Sequence, residues 1–140
     1  MAIESEGNRW EIMKWYFKVL TKYAVFAGRA RRKEFWTFFL VNLLIIFSLR
    51  GIDILLGTWN RVSHSGLLSV IFEFAILIPT IAVSIRRLHD TNRTGWWILI
   101  HFIPLIGWIP FYIFMGENSQ PSENRYGPDP KADVVVGPAP

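Results

Sequence analysis

The sequence predicts an all-α membrane protein, a three-span helical bundle preceded by an amphipathic helix at the membrane interface. Two observations favour this class. Hydrophobic residues make up 51% of the chain and charged residues 19%, and the two kinds are separated into long apolar blocks and short charged segments instead of alternating at a helical or strand period. Eight of the fifteen Lys and Arg residues precede residue 35, directly before the first apolar block. Basic residues in that position face anionic lipid and set the orientation of the span.

Composition also excludes several kinds of site. The chain has no cysteine, which excludes disulfides, thiolate metal ligands and cysteine nucleophiles. The three histidines, His64, His89 and His101, are scattered, which argues against a metal site. The net charge of +4 is concentrated beside apolar blocks, a pattern typical of membrane anchoring and not of nucleic-acid binding. We therefore expect no metal, no cofactor and no nucleic-acid partner.

The first predicted element is a helix over residues 8–26, within an N-terminal cytosolic segment of residues 1–34. One face carries charged residues at three- and four-residue steps: Glu11, Lys14, Lys18 and Lys22. The opposite face is apolar and aromatic: Met13, Tyr16, Phe17, Leu20, Tyr23 and Ala24. A lysine-rich face opposite an aromatic one predicts a helix lying in the headgroup plane. The alternative is a surface helix of a soluble domain.

A transmembrane domain is predicted over residues 35–116, with spans at about 35–57, 67–85 and 96–116. Each block approaches the roughly 20 residues that cross a hydrocarbon core of about 30 Å at 1.5 Å per residue. Two prolines and a glycine, Pro104, Gly107 and Pro110, are expected to kink or break the third span. A polar tail rich in Pro and Gly follows over residues 117–140, and its very end is predicted to be disordered.

Charge asymmetry predicts the orientation. The N-terminal segment carries eight Lys and Arg residues and the predicted loop at 86–95 carries three, whereas Arg61, Arg125 and Lys131 lie on the other side of a three-span chain. The positive-inside rule therefore predicts a cytosolic N-terminus. Because about 20 residues match one span, a single crossing by the third block is favoured over a re-entrant hairpin that would return the tail to the cytosol.

Three ordered motifs resemble those of a known family, from Trp15 to Pro130. "FAGRARRKEFW" precedes the first span, "RRLHDTNRTGWW" separates the second and third, and "NRYGPDP" follows the third. They resemble the signatures of domain of unknown function 805, a family of small bacterial inner-membrane proteins. The resemblance implies a bacterial inner-membrane location and no particular reaction. It implies importance for Gly28, Arg29, Arg32, Glu34 and Trp36, for Arg86, Arg87, Leu88, His89, Asp90, Gly95 and Trp96, and for Asn124, Gly127 and Pro130.

Two arginine pairs on the predicted cytosolic side are candidate ligands for lipid phosphate: Arg29, Arg32, Arg86 and Arg87. Guanidinium forks match phosphate oxygens bidentately. The structural alternative is that Arg31 or Arg32 pairs with Glu34, and that Arg86 and Arg87 only mark the cytosolic end of the second span.

His89 and Asp90 are the candidates for chemistry. On an enzymatic interpretation His89 carries a proton near neutral pH and Asp90 orients it. Adjacent residues on a helix point about 100° apart, so the two side chains do not pair directly there. The favoured interpretation is structural: Asp90 or Thr91 caps the following turn. No catalytic residue is therefore assigned.

Arg50 and Glu73 are predicted to form an intramembrane ion pair. Arg50 lies about 22 Å along the first span from Phe35, and Glu73 lies about 9 Å along the second from Leu67. On antiparallel spans these distances place both charges at one depth near the outer face. The alternative is that Arg50 pairs with Asp53, three residues further along its own helix.

Three function classes follow. The leading hypothesis is a non-enzymatic inner-membrane protein whose cytosolic basic-aromatic surface binds anionic lipid or a partner protein. The second is a subunit of a small oligomeric transporter or channel, since three spans are too few to enclose a path alone. The third is an enzyme acting on a lipid-linked substrate through His89 and Asp90. The sequence offers no set of nucleophile, base and orienting residue, which counts against the third.

Overall fold

The computed structural model describes residues 2–132, with side chains from residue 9 onward, and over that range the chain is helical with no strand. The elements are α1 (Ala2–Thr21), α2 (Arg32–Leu55), α3 (Leu67–Asp90), a 3₁₀ helix (Gly95–Phe102) and α4 (Trp108–Gly116). The predicted disordered end of the tail falls in residues 133–140, outside the described residues.

Helices α2 and α3 form an antiparallel pair, and they are the two described helices long and apolar enough to cross a membrane. At 24 residues each they extend about 36 Å. Only 17% of the most apolar stretch of α2 and 28% of that of α3 is buried inside the protein. Their apolar side chains therefore point mostly outward, whereas the core helix of a soluble protein turns them inward.

Asp53 fixes the loop between α2 and α3. Its buried carboxylate accepts hydrogen bonds from the backbone N–H groups of Leu68 (3.0 Å) and Ser69 (2.9 Å) and from the hydroxyls of Ser69 and Thr58. It thereby satisfies N–H groups that the first turn of α3 leaves without intrahelical partners. Gly66 permits this approach, because a Cβ there would lie 2.1 Å from Asp53 Oδ2.

The predicted third span is wrong. Residues 95–116 form a helical hairpin, in which the 3₁₀ helix turns back into α4 through Pro104 and a left-handed Leu105 (φ 63°). Gly107 lies so close to the 3₁₀ helix that a Cβ would be 1.7 Å from Ile100 O. At the far end of the hairpin, Met115 O accepts a hydrogen bond from Arg87 in the last turns of α3.

Both ends of this hairpin therefore lie at the same end of the α2–α3 pair. The single crossing, favoured because the block has the length of one span, does not occur. Pro104 and the left-handed Leu105 interrupt the helix midway through the block. The alternative, in which the tail returns to the side of the N-terminal segment, agrees with the geometry.

Helix α1 overlaps the predicted helix over residues 8–26 but begins six residues earlier, at Ala2, and ends five residues earlier, at Thr21. The part of its apolar face nearest its C-terminus packs on α2: Tyr16 stacks on Phe38 at 5.3 Å, its hydroxyl donates to Asn42 Oδ1 (3.2 Å), and Val19 is fully buried. Burial raises the pKa of Tyr16, which keeps its hydroxyl a donor. Trp10, Ile12, Met13 and Phe17 stay exposed. A position of this helix in the headgroup plane stays a prediction.

Candidate functional site

The first part of the second sequence motif lies in a helix and not in a loop. Residues 86–90, predicted to be part of a cytosolic turn, are the last five residues of α3. The helix continues because residues 80–94 contain no glycine or proline, and it ends where Asn92 adopts a left-handed conformation (φ 60°). The helix places Arg86, Arg87 and Asp90 in the interior of the protein, where all three are fully buried.

Five buried charged residues near the end of α3 form an arginine–carboxylate cluster of two groups: Asp90 with Arg29 and Arg87, and Glu34 with Arg86. Arg29 Nε donates to Asp90 Oδ1 at 2.9 Å, and Arg87 Nη1 donates to Oδ2 at 2.5 Å. One carboxylate thus joins the segment before α2 to the last turn of α3. Charge-assisted bonds of this length are among the stronger hydrogen bonds in proteins.

Arg29 also binds the tail. Its Nη1 donates to Ser122 O (2.7 Å) and Gly127 O (3.2 Å), and its Nη2 donates to Gln120 O (2.5 Å). The backbone N–H of Gln120 donates in turn to Asp90 O at 3.1 Å. The tail therefore folds around a guanidinium group whose partners are mostly backbone carbonyls.

Arg87 binds the C-terminal end of α4. Its Nε donates to Met115 O at 3.1 Å and its Nη2 to Glu117 O. Trp36 Nε1 donates to the same Met115 carbonyl (3.2 Å), and Arg32 Nη1 approaches Gly116 O at 3.4 Å. The last carbonyls of a helix have no intrahelical partner and carry partial negative charge. Arg87, Trp36 and Arg32 supply the N–H donors that those carbonyls need.

Glu34 pairs across to α3 and not within its own segment. Arg86 Nη1 lies 2.6 Å from Glu34 Oε1, and Lys18 Nζ lies 3.6 Å from Oε2. The predicted pairing of Glu34 with Arg31 or Arg32 is wrong, because Glu34 faces the helix interface while Arg31 Nε donates to Pro130 O at 2.6 Å.

His89 and Asp90 do not form a catalytic pair. His89 Nδ1 lies 3.2 Å from Gly28 O, its ring stacks on Tyr126 with centroids 3.8 Å apart, and its backbone carbonyl accepts from Asn124 Nδ2 (3.0 Å). Asp90 is committed to two arginines, so it neither orients His89 nor caps the following turn. The contacts of both residues are those of a folded scaffold.

The contacts of the cluster join residues from all three sequence motifs. A few motif residues lie outside the cluster. Gly28 (φ 85°) and Gly127 (φ 129°) occupy left-handed conformations that favour glycine, and each offers a carbonyl to the cluster or its neighbour His89. Leu88 lies in the hydrophobic core. Gly95 allows the 3₁₀ helix to approach Ile85, since a Cβ would lie 2.9 Å from that side chain. Trp96 is exposed and contributes no cluster contact.

This geometry bears directly on the predicted phosphate ligands. Arg29, Arg86 and Arg87 are buried, and their guanidinium groups bond to Asp90, Glu34 and backbone carbonyls. For Arg29 and Arg87, binding lipid phosphate would require breaking those bonds, whereas Arg86 Nε and Nη2 are buried and have no hydrogen-bond partner among the described residues. Of the four predicted ligands, Arg32 alone is exposed.

Arg50 and Glu73 lie on the neighbouring helices α2 and α3, with Arg50 Nη2 3.0 Å from Glu73 Oε1 and both side chains partly exposed. Asp53, the alternative partner of Arg50, instead accepts the α3 N–H groups. Sequence reasoning named Asp53 only as a partner of Arg50 and missed its role at the start of α3. It also missed the buried Asn42 that bonds to Tyr16, and Glu117, which pairs with Arg93 at 2.6 Å. A polar residue inside an apolar block was the only available signal for Asp53 and Asn42.

Comparison with known proteins gives a consistent match. The family model described as "Protein of unknown function (DUF805)" matches residues 23–128. In Escherichia coli (strain K12), Inner membrane protein YhaH is 48% identical over 121 residues, covering 86% of this chain and 99% of that protein. Inner membrane protein YhaI is 42% identical over 119 residues, covering 85% and 97%. Uncharacterized protein YiiR is 30% identical over 101 residues, covering 70% and 56%. No solved structure matches.

The buried cluster predicts a large difference between two carboxylate-to-amide substitutions. Asp90→Asn leaves Arg29 and Arg87 without a buried counter-charge and should lower the free energy of unfolding by about 3–5 kcal/mol. Glu117→Gln, which breaks the partly exposed pair with Arg93, should cost about 0–1 kcal/mol. Thermal or denaturant unfolding in detergent measures both. Equal small losses would show that the cluster does not stabilise the fold.

The Arg50–Glu73 pair predicts non-additive substitutions. A lone charge within a span costs on the order of 3 kcal/mol on insertion scales, less where the side chain reaches the interface. Arg50→Leu and Glu73→Leu should each lower the melting temperature of the protein in bilayers, and the double substitution should recover much of that loss. Two single losses that simply add would contradict the pair.

Proposed function

The chain belongs to the DUF805 family of proteins of unknown function, and we propose that it is a multi-pass inner-membrane protein without enzymatic activity that binds anionic lipid headgroups on the cytosolic side. The binding surface is the basic-aromatic surface of α1 and the first turn of α2: Arg9, Lys14, Arg32 and Lys33 with Trp10 and Phe17.

Two features support placement of α2 and α3 in the membrane. Both helices have the length and apolar composition of spans and keep most of their apolar side chains on the outside of the protein. Relatives at 48% and 42% identity are named inner membrane proteins. In hydrocarbon, a helix with outward apolar side chains needs no further burial.

The return of the tail strengthens the charge asymmetry behind the proposed orientation. With two crossings, both ends of the described chain share a side with residues 86–95. Thirteen of the fifteen Lys and Arg residues then fall on that side, Arg61 falls on the other, and Arg50 lies within α2. By the positive-inside rule that side is the cytosol.

The observation that carries the lipid-binding proposal is the division of the cations into two sets. Arg29, Arg86 and Arg87 are buried and paired, whereas the cations of the basic-aromatic surface are exposed beside exposed aromatic side chains. Exposed aromatic residues beside lysine and arginine suit the headgroup layer, where rings enter the acyl boundary and cations meet phosphate.

The orientation proposal predicts the reactivity of two introduced cysteines. Ser63 lies in the exposed α2–α3 loop and Glu123 in the exposed part of the tail. In intact spheroplasts, Ser63→Cys should react with an impermeant thiol reagent, and Glu123→Cys should react only after permeabilisation. Reaction of both before permeabilisation would place the tail outside and contradict two crossings; the reverse pattern would invert the orientation.

The lipid-binding proposal predicts a salt-dependent loss of lipid preference. Glutamine at Arg9, Lys14, Arg32 and Lys33 should weaken the preference of the purified protein for phosphatidylglycerol over phosphatidylcholine by about 1 kcal/mol per charge at low salt, and less at high salt. Lipid exchange followed by mass spectrometry of the retained lipids measures this preference.

Arg61→Gln at the opposite end is the matched control and should leave the preference unchanged. If the fourfold variant keeps the preference of the original chain, the basic-aromatic surface does not bind lipid, and a partner protein becomes its remaining proposed ligand.

A further inference from the structure

A lateral cavity of about 550 Å³ lies between α2, α3, the 3₁₀ helix and α4. The helical hairpin covers the groove between the two long helices without filling it. Aromatic side chains form much of the wall: Phe35, Phe38, Phe39, Phe102, Phe111 and Tyr112. The wall on α2 runs from Phe35 to Ile46, about 16 Å at the helical rise. The cavity is therefore elongated, and its volume lies within the roughly 300–1,000 Å³ of small-molecule pockets.

Besides the hydroxyl of Tyr112, the lining of this mostly apolar space includes four polar side chains: Asn42, Thr80, Ser84 and His101. The hydroxyls of Thr80 and Ser84 donate to carbonyls one turn back, at 2.6 and 2.7 Å, so their oxygens can still accept. Asn42 Nδ2 uses one of its two N–H groups on Phe38 O. Each of the three can make one more hydrogen bond.

His101 differs from these three residues. Its Nδ1 is buried and has no hydrogen-bond partner among the described residues, while its ring is held against Phe111 with centroids 4.7 Å apart. A buried polar atom without a partner is costly, and native structures normally satisfy it. A ligand in the cavity does not reach this buried Nδ1, but His101 Nε2, which also has no hydrogen-bond partner among the described residues and is not buried, can bond to a ligand hydroxyl or carbonyl group.

The charge of the lining restricts the ligand further. No Asp, Glu, Lys or Arg lies among the described residues that line the cavity. A charged headgroup would be buried there without a counter-charge, which hydrocarbon surroundings penalise strongly. The buried part of the ligand is therefore neutral, and its elongated remainder is apolar.

We propose that the lateral cavity binds a neutral single-chain lipid, a long hydrocarbon chain ending in a hydroxyl or carbonyl group that hydrogen-bonds to His101. This inference rests on the proposed placement of α2 and α3 in the bilayer, since the ligand enters from the hydrocarbon layer. It does not depend on the basic-aromatic surface, which would bind charged headgroups at the interface.

The experiment uses the full chain in phosphatidylcholine nanodiscs with hexadecanol that carries a photoactivatable diazirine on its chain. After irradiation, mass spectrometry maps the labelled peptides. Labelling of residues 98–112 should saturate with probe concentration, and excess unlabelled hexadecanol should displace it. Ionised hexadecanoate should displace it at least about tenfold less well, because its carboxylate would be buried unpaired.

Substitutions identify the cavity as the labelled site. Ile76→Trp fills the cavity and should abolish the saturable labelling, whereas Ile71→Trp, on the exposed face of α3 outside the lining, should preserve it. His101→Phe keeps the ring and removes the hydrogen bond, and should weaken binding about fivefold or more. Ser84→Leu is a second filling variant with the same expected loss, and unfolding in detergent confirms that each variant is folded.

The outcomes separate failure of this inference from failure of the proposed placement. Labelling of residues 98–112 that does not saturate, or that survives in folded Ile76→Trp and Ser84→Leu, overturns the cavity as a site and leaves only contact with bulk lipid. Equal displacement by hexadecanoate overturns the neutral headgroup. Failure to label even the outward residues Leu44 and Phe47 would instead contradict the membrane placement.

Discussion

Asp90 holds two guanidinium groups in a region closed to solvent, and the arrangement of the end of the bundle where α3 finishes depends on this carboxylate. Removing an ion from water costs several kcal/mol even after the protein relaxes, and a single partner does not restore this loss. Three arginines and two carboxylates are buried together, so opposite charges alone do not satisfy the arginines. Arg29 and Arg87 obtain their remaining partners from the carbonyls of residues 115–127. The buried charges therefore require the tail to fold at this end.

The same requirement explains the path of the third apolar block. Arg87 lies in the last turns of α3, and its guanidinium N–H groups need hydrogen-bond acceptors. The carbonyls at the C-terminal end of α4 provide them. A straight span from Gly95 would place residue 115 about 30 Å away by the helical rise. The chain resolves this conflict with Pro104 and Gly107, which turn the block back so that its start at Gly95 packs on Ile85 of α3 and its end at Met115 bonds to Arg87. The length of the block favoured a crossing, but length contains no information about which groups the buried arginines bond to.

How far the sequence predicts this structure depends on the range of each interaction. Helices α2 and α3 follow from local composition, and the depth count that singled out Arg50 and Glu73 needs only the regular rise of two adjacent helices. Glu34 pairs with Arg86, 52 residues away, and Asp90 pairs with Arg29, 61 residues away. Which arginine each carboxylate meets depends on which side of a helix faces inward. A run of arginines beside a span has the same pattern whether the arginines face lipid phosphate or a buried carboxylate. The motif residues indicate where the arginines lie in the sequence. Whether those arginines face lipid phosphate or a buried carboxylate depends on the fold.

The lateral cavity is a further consequence of the cluster at the end of the bundle. Arg87 fixes the C-terminal end of the hairpin and Ile85 packs against its start, while α4 has only nine residues and α2 has twenty-four. A nine-residue helix extends about 14 Å, so the hairpin covers part of the groove between α2 and α3 and cannot fill it. Within this hairpin His101 is held by the rings of Trp108, Phe111 and Tyr112. The position of the apolar lateral cavity thus depends on the buried charged cluster at the end of the bundle.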